Sequence, residues 1–365
     1  MIKMFRPFIP PGVDNSILEV LHSGHITQGP RVEVFEDILA KVIDNPRVAS
    51  VNSGTSAIVL ALQMIGIGPG DEVISTPQTC IATNTPIALA GAKIVWADVH
   101  PETGLISPDD IEKKITKKTK AIVTVDWGGM PVDYDSIREI AGDIPIISDA
   151  AHSLGSYYKG KPVGHPDLAD FTTFSFQAIK TITTIDGGAL AMSARWDISR
   201  AKRLRWFGVP RDNNVAFRGG IDVVEPGLKL HMNDVNAAMG ISALPHLAKN
   251  AAKQNSIGNM YSARLSPHFG RTDKVDYNTY SANWLYTLHV VSPDIFSEHM
   301  AKRGVETSRV HWRNDTHTAF RRFLPPAPLF GQDQYSHSMM CIPSNNSLTI
   351  GDVEQIISAA NEYYE

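Results

Sequence analysis

Between Asn52 and about Met192 the chain repeats one pattern: a short run that is apolar throughout, then a stretch with helical spacing, then another apolar run. The runs are Glu72–Thr76, Lys93–Val99, Lys120–Val125, Ile144–Ser148, Asp170–Phe176 and Ala189–Met192. Helical patterns fall between several of them, at Ser56–Ile65, Ala82–Ala90, Pro108–Ile115 and Tyr134–Ala141. A strand that is apolar on both faces is covered on both faces. Such strands, separated by helices, predict a mainly parallel sheet with helices on either side.

The pattern lapses at Gly208–Gly227, a long polar stretch that reads as a loop, and helical signal returns at Asp234–Leu247. After about Lys249 a different unit begins. It reads as a helix, a strand at Trp284–Val291, a helix at Pro293–Arg303 and a last helix from Val353. A chain of 365 residues exceeds one ordinary core. The expected division is a large domain with an N-terminal arm over 1–248 and a smaller α+β domain over 249–365.

Charge and cysteine content narrow the function. A net charge of -4 gives no global positive field to draw in nucleic acid or an acidic membrane. Two cysteines, Cys80 and Cys341, exclude a disulfide framework and a cysteine-rich metal site. They fit a reducing, cytoplasmic setting. The opening MIKMFRPFIPPG is broken by prolines and lacks the apolar core of a signal peptide. No apolar run is long enough to span a bilayer.

Three stretches carry chemistry. Ser53-Gly54-Thr55-Ser56 stands at the start of an apolar helix, where free N–H groups and the helix dipole favour a phosphate. An ordinary N-cap explains it equally well. Asp149-Ala150-Ala151-His152 follows an apolar run, so Asp149 sits at the C-terminal end of a buried strand, where open α/β sheets bind ligands. A carboxylate there can hold a protonated ring nitrogen, or it can simply cap the next helix. Lys180 follows the strand that ends near Phe176, and a lysine amine forms Schiff bases once burial or neighbours suppress its charge. Most lysines just past a strand are instead surface residues. A turn rich in hydroxyls and glycine, Thr183–Gly188, leads into the next apolar run.

Each signal is weak alone, but their order is specific. The stretches ITQGPRVEVFE, VNSGTSAIVLAL, GDEVISTPQTCIAT, GAKIVWADVHPETG, SDAAHSLGSYYKGKPVG, FTTFSFQAIKTITTIDGGAL and GLKLHMNDVNAAMG make the chain resemble the DegT/DnrJ/StrS-type aminotransferases. These are pyridoxal 5'-phosphate (PLP) enzymes acting on nucleotide-linked sugars. The resemblance implies the PLP-dependent transferase fold type I, with a mainly parallel seven-stranded sheet between helices. It implies that Lys180 makes the Schiff base and that Asp149 pairs with the ring nitrogen. By the same likeness Ser53, Gly54, Thr55 and Ser175 cradle the phosphate, while Cys80, His152 and Gln177 lie around the ring. The segment Lys229–Asn233 is expected from the partner subunit of a homodimer, with Lys229 near the phosphate. The amino donor implied is L-glutamate, which leaves the cofactor as pyridoxamine phosphate. The acceptor implied is a nucleoside-diphosphate-linked keto-deoxy-sugar, aminated at C4 or C3. Arg211, Arg218, Arg309, His311 and Arg313 are candidate substrate contacts, a solvated basic strand end being as good a reading of 309–313. Trp284 and His317 stay undecided.

The sequence departs from its relatives at Gln177, where they commonly have His, at Asp186, where Glu is usual, and at Cys80, where an aromatic residue is frequent. Sugar dehydratases of the same fold replace the lysine by histidine, so Lys180 argues against that activity. Neither cysteine is placed as a desulfurase nucleophile would be. A binding protein that kept the fold remains the alternative from outside catalysis, and intact Lys180 and Asp149 weigh against it.

Overall fold

The computed structural model describes residues 1–210, 222–272 and 275–364. Its main sheet has seven strands: β1 (Val48–Val51), β2 (Glu72–Ser75), β3 (Lys93–Trp96), β4 (Thr119–Val125), β5 (Ile146–Asp149), β8 (Phe171–Ser175) and β9 (Gly188–Met192). Between β5 and β8 a small hairpin, β6 (Tyr157–Tyr158) and β7 (Lys161–Pro162), projects and pairs with β11 (Thr279–Tyr280). The main order is β1-β9-β8-β5-β4-β2-β3. Strands β3, β2, β4, β5 and β8 pair in parallel, and β9 runs antiparallel to both β8 and β1.

Before the sheet come α1 (Val13–His22) and α2 (Pro30–Val42). Helices α3 (Gly54–Ile65), α4 (Ile81–Leu89), α5 (Pro108–Lys114), α6 (Tyr134–Ala141), α7 (Ile198–Leu204) and α8 (Asp234–Ala243) connect or cover its strands. The sheet residues are buried because both faces are covered: Val73, Val123, Ile147 and Phe171 pack among α3 and its neighbours, and Ile74, Ile122 and Ile146 pack with Ile111 and Ile137 of α5 and α6. That double cover is what strands with apolar residues on both faces require.

A second sheet belongs to the last third. Strands β10 (Gly270–Arg271), β12 (Tyr286–His289) and β13 (Met339–Ile342) are antiparallel. They pack with α9 (Leu247–Arg264), α10 (Pro293–Lys302) and α12 (Ile350–Asn361), through Tyr261, Phe296, Ile342 and Ile356 among others; α11 (Phe330–Ser338) leads into β13. The N-terminal arm joins this unit, with Ile2 bridging Val305 and Asn345 donating to the carbonyls of Lys3 and Met4.

Several boundaries differ from the sequence reading. β1 was not foreseen, because Val48–Val51 is only four residues long and lies ahead of the repeating pattern. The helix expected over Asp234–Leu247 stops at Ala243, and Leu244–His246 forms a tight turn containing Pro245 before α9 begins. The last helix starts at Ile350, three residues early, because Thr349 caps it in a reciprocal box with Asp352. Strand β3 ends at Trp96, short of Val99, and β12 spans only Tyr286–His289 within the run expected from Trp284 to Val291.

Topology sets the position of everything that follows. Because β9 alone is reversed, β1, β8, β5 and β4 all end at one edge, where Val51 and Ser175 are both in register with Gly188, and Val125 with Asp149. Ligands of open α/β sheets collect at this edge.

Candidate active site

Helix α3 starts at that edge directly after β1. Ser53 is its N-cap, its hydroxyl accepting from Ser56 N–H at 3.1 Å. A Cβ on Gly54 would stand 2.9 Å from Ser175 Cβ, and one on Gly188 would lie 2.4 Å from the Ser53 carbonyl carbon. The two glycines therefore let the helix N-terminus close onto the ends of β8 and β9. Ser53, Gly54, Thr55 and Ser175 meet in this cradle as part-exposed residues.

Asp149 ends β5 and is buried. Its Oδ2 accepts from Thr83 Oγ1 at 2.6 Å and its Oδ1 from Ala151 N–H at 3.1 Å. Burial pushes its carboxyl above the ordinary range, against those two donors and the nearby Lys180 charge. Lys180 is presented by a turn after β8 in which Gln177 Oε1 accepts from Ile179 N–H and Gln177 O from Lys180 N–H. Part of the Lys180 side chain faces the cleft, but its amine is surrounded by protein. That desolvation lowers its pKa from 10.5 to about 8, although Asp149 and Cys80 favour the charged form.

His152 is buried, and its Nδ1 has no partner among the described residues. Burial first, then Lys180 and His311, holds it well below the usual imidazole range and neutral. Its ring stacks on Trp284 at 4.1 Å between centroids and lies parallel to His311 at 5.9 Å. Trp127 closes the group edge-on to both histidines. His311 follows Val310, a β-branched residue held at φ 61 in a bend where its N–H donates to Ser308 Oγ. Burial and Lys180 lower His311 to about 4. Cys80 is part-exposed and precedes α4.

The last third of the chain is latched to this edge. Asn314 N–H donates to Pro77 O, its Nδ2 donates to Thr79 O, and its Oδ1 accepts from Asn84 Nδ2. Trp284 N–H and His152 O both come within 3.2 Å of where a Cβ on Gly129 would stand, so only glycine lets the loop after β4 pass there.

Other expected contacts lie elsewhere. The Arg313 guanidinium is paired with Asp315 and Asp333, so it is engaged within the chain. Arg309 donates to Ser336 O and lies over the Trp312 ring. Lys229 is exposed, on a segment that runs beside β1, where Asn52 N–H donates to Leu230 O and Val51 bridges His231. Arg211 and Arg218 lie outside the described residues. Sequence reasoning missed Thr83, Trp127 and Asn314. The strand-end rule that singled out Asp149 would also have singled out Asp126-Trp127, just beyond β4, whereas nothing local marks Thr83 or Asn314.

The family model for DegT/DnrJ/EryC1/StrS aminotransferases matches residues 12–361. The chain belongs to the DegT/DnrJ/EryC1/StrS aminotransferase family. Among solved structures it is similar to AtS13 from Actinomadura melliaura, at 34% identity and TM-score 0.94, covering 99% of this chain and 98% of that one. It is also similar to the sugar aminotransferase CalS13 from Micromonospora echinospora, at 30% identity and TM-score 0.93, covering 99% and 100%. Spr1654 from Streptococcus pneumoniae in its PMP form matches at 27% identity and TM-score 0.91, covering 99% and 98%. DegT/DnrJ/EryC1/StrS enzymes are PLP-dependent sugar aminotransferases, so the cofactor expected from the sequence is that of the family. No helix among the described residues is long and apolar enough to cross a membrane.

Proposed function

We propose that this enzyme moves the amino group of glutamate onto a nucleoside-diphosphate-linked keto-deoxy-sugar, at C4 or C3, for amino-sugar synthesis. The observation that carries the reading is the convergence, at one sheet edge, of a buried carboxyl on β5, an amine with a depressed pKa after β8 and a helix N-terminus against Ser175.

These residues suit PLP. A phosphate fits the Gly54–Ser175 cradle, where backbone N–H groups and the dipole of the twelve-residue α3 favour an anion. A protonated ring nitrogen fits Asp149, whose carboxyl burial leaves short of a positive partner. A ring oxygen fits the side of His152, whose buried Nδ1 has no partner among the described residues.

When bound, PLP supplies the electron sink into which charge at the amino carbon flows. Asp149 would keep the ring nitrogen charged, and the hydrogen bonds from Thr83 and Ala151 fix the carboxylate for that task. Lys180 is the residue that would hold the cofactor through its amine, and once free that amine would carry a proton to or from the donor α-carbon. A pKa near 8 lies much closer to the working pH than the ordinary 10.5, so the amine can lose and regain a proton there, as an acid–base group must. His152, neutral beside it, adds no competing charge. Arg309 and His311 are the described candidates for the sugar-nucleotide side.

The proposal includes a homodimer in which Lys229 reaches the partner's phosphate cradle. Phe207 and Leu228, both exposed and joined by a backbone hydrogen bond beside Lys229, support a covered surface there. Purified enzyme is to be screened with glutamate and a panel of nucleotide-linked 3-keto and 4-keto sugars. Formation of 2-oxoglutarate and an amino-sugar nucleotide is expected with one keto position. Turnover of keto acids alone, with no sugar aminated, would overturn the substrate class.

A further inference from the structure

We propose that Trp284 is a positioning residue for Lys180, whose ring face holds the lysine amine whenever that amine is not bonded to cofactor. The inference rests on the reading of Lys180 as the cofactor lysine. The Lys180 amine lies 3.7 Å from the centre of the Trp284 ring. The indole is fixed in place from three directions. Its Nε1–H donates to Ile179 O at 2.9 Å, the carbonyl just before Lys180, so lysine and ring share one anchor. Phe5 of the N-terminal arm stacks on it at 5.2 Å and His152 at 4.1 Å. Trp284 is 3% exposed, and a desolvated ammonium on an indole face is the strongest form of this contact.

Lys180 needs such a place. Each half of a two-step transfer releases its amine and must take it back, and a four-carbon stem left loose loses the geometry that proton transfer demands. The other groups acting on the amine are Asp149, Cys80, His152 and His311, and the two histidines are held neutral. Asp149 is the residue proposed for the ring nitrogen, so it does not offer the free amine a seat of its own. Trp284 comes from the last third of the chain, ahead of β12, and its N–H on Ile179 couples that unit to the lysine turn.

The test reads the free amine directly. The full chain, stripped of cofactor and separately saturated with pyridoxamine phosphate, is titrated by pulse acetylation, and labelling of the Lys180 peptide is followed by mass spectrometry from pH 6 to 11. The variants are Trp284→Phe and Trp284→Leu, with a preparation in which every tryptophan carries two ring fluorines, which weakens the ring face without changing its shape. The expected result is a fall of about one pH unit in the Lys180 pKa for Trp284→Leu and roughly half that for Trp284→Phe and the fluorinated protein, because the ring stabilises the charged form. Turnover of the variants should lose kcat with little change in KM. A rise in the Lys180 pKa means that the indole only excludes water, and no change means that it does not hold the amine; either overturns the proposal. The fluorinated protein decides the matter if Trp284→Leu does not fold. Failure of the parent to form a borohydride-reducible adduct between Lys180 and PLP would instead sink the reading of Lys180 itself.

Discussion

Two buried polar clusters, one against the edge strand β1 and one at the end of β5, are built on opposite principles. In the first, Glu36 of α2 is ringed by donors: Arg205, Lys202 at 2.9 Å, and Ser50 through both N–H and hydroxyl. Burial pushes the Glu36 carboxyl up, yet Arg205 and Lys202 outweigh it and hold it below the ordinary range. In the second, Asp149, Lys180 and His152 are buried with fewer partners than their charges call for, and burial wins for each. Asp126, beneath them, is pushed up to about 7 despite Ser153, Tyr134 and the Val132 N–H. A carboxylate whose lone pairs are filled has nothing left to give a ligand. The incomplete cluster is the one able to bind and react.

The largest effect expected from this contrast is at Lys180. Lys180→Met should abolish amino transfer and the yellow absorbance of lysine-bound cofactor, and turnover near the parent rate would break the contrast outright. Next comes Arg205→Met, which leaves Glu36 the Ser50 donors but only Lys202 as a cation among the described residues. Loss of a partner from a buried pair costs about 3–5 kcal/mol, to be read by urea unfolding. Asp149→Asn should keep cofactor bound yet slow turnover by roughly 2.7–4 kcal/mol in the barrier, about 10²–10³-fold, the scale of one electrostatic group in a reacting site. Normal rates there would remove Asp149 from its role. The smallest effect has the opposite sign to the Arg205 result: without cofactor, Lys180→Met should be more stable than the parent at pH 7. The folded pKa of Lys180 is depressed from 10.5 to about 8. The unfolded chain therefore binds more protons, and the penalty is full below pH 8 and fades as pH rises toward 10.5. At about 1.36 kcal/mol per pH unit the shift is worth ~3 kcal/mol, reduced to about 2 because part of the side chain faces the cleft. Melting curves of the two apoproteins from pH 7 to 10.5 should converge, and parallel curves would sink the assignment of the cost to Lys180.

The reactive cluster was far more legible in the sequence than the filled one. Asp149 and Lys180 each follow an apolar run, so a strand-end rule finds them without any knowledge of pairing. Glu36 and Arg205 are 169 residues apart and look like ordinary helical charges; only folding brings them to Ser50. Long separation in sequence likewise hid Thr83 from Asp149 and Trp284 from Lys180. The reversal of β9 was also hidden, because Gly188–Met192 is apolar throughout and hydrophobicity carries no direction. Arg313 teaches something different: a basic run suggests a ligand, yet Asp315 two residues on and Asp333 20 residues on both pair with it, and only the second lies out of local view.

The Asn314 latch also places the site in time. Thr79 and Asn314 are separated by 235 residues, so at about 5–20 residues per second a ribosome delivers the second roughly ten to fifty seconds after the first. Through that interval the Pro77–Cys80 segment has emerged without the residue that pins its carbonyls, and for part of it the Lys180 turn has emerged without Trp284. The parallel sheet can assemble during synthesis, but the cleft it carries acquires its final walls only when the closing third of the message has been read.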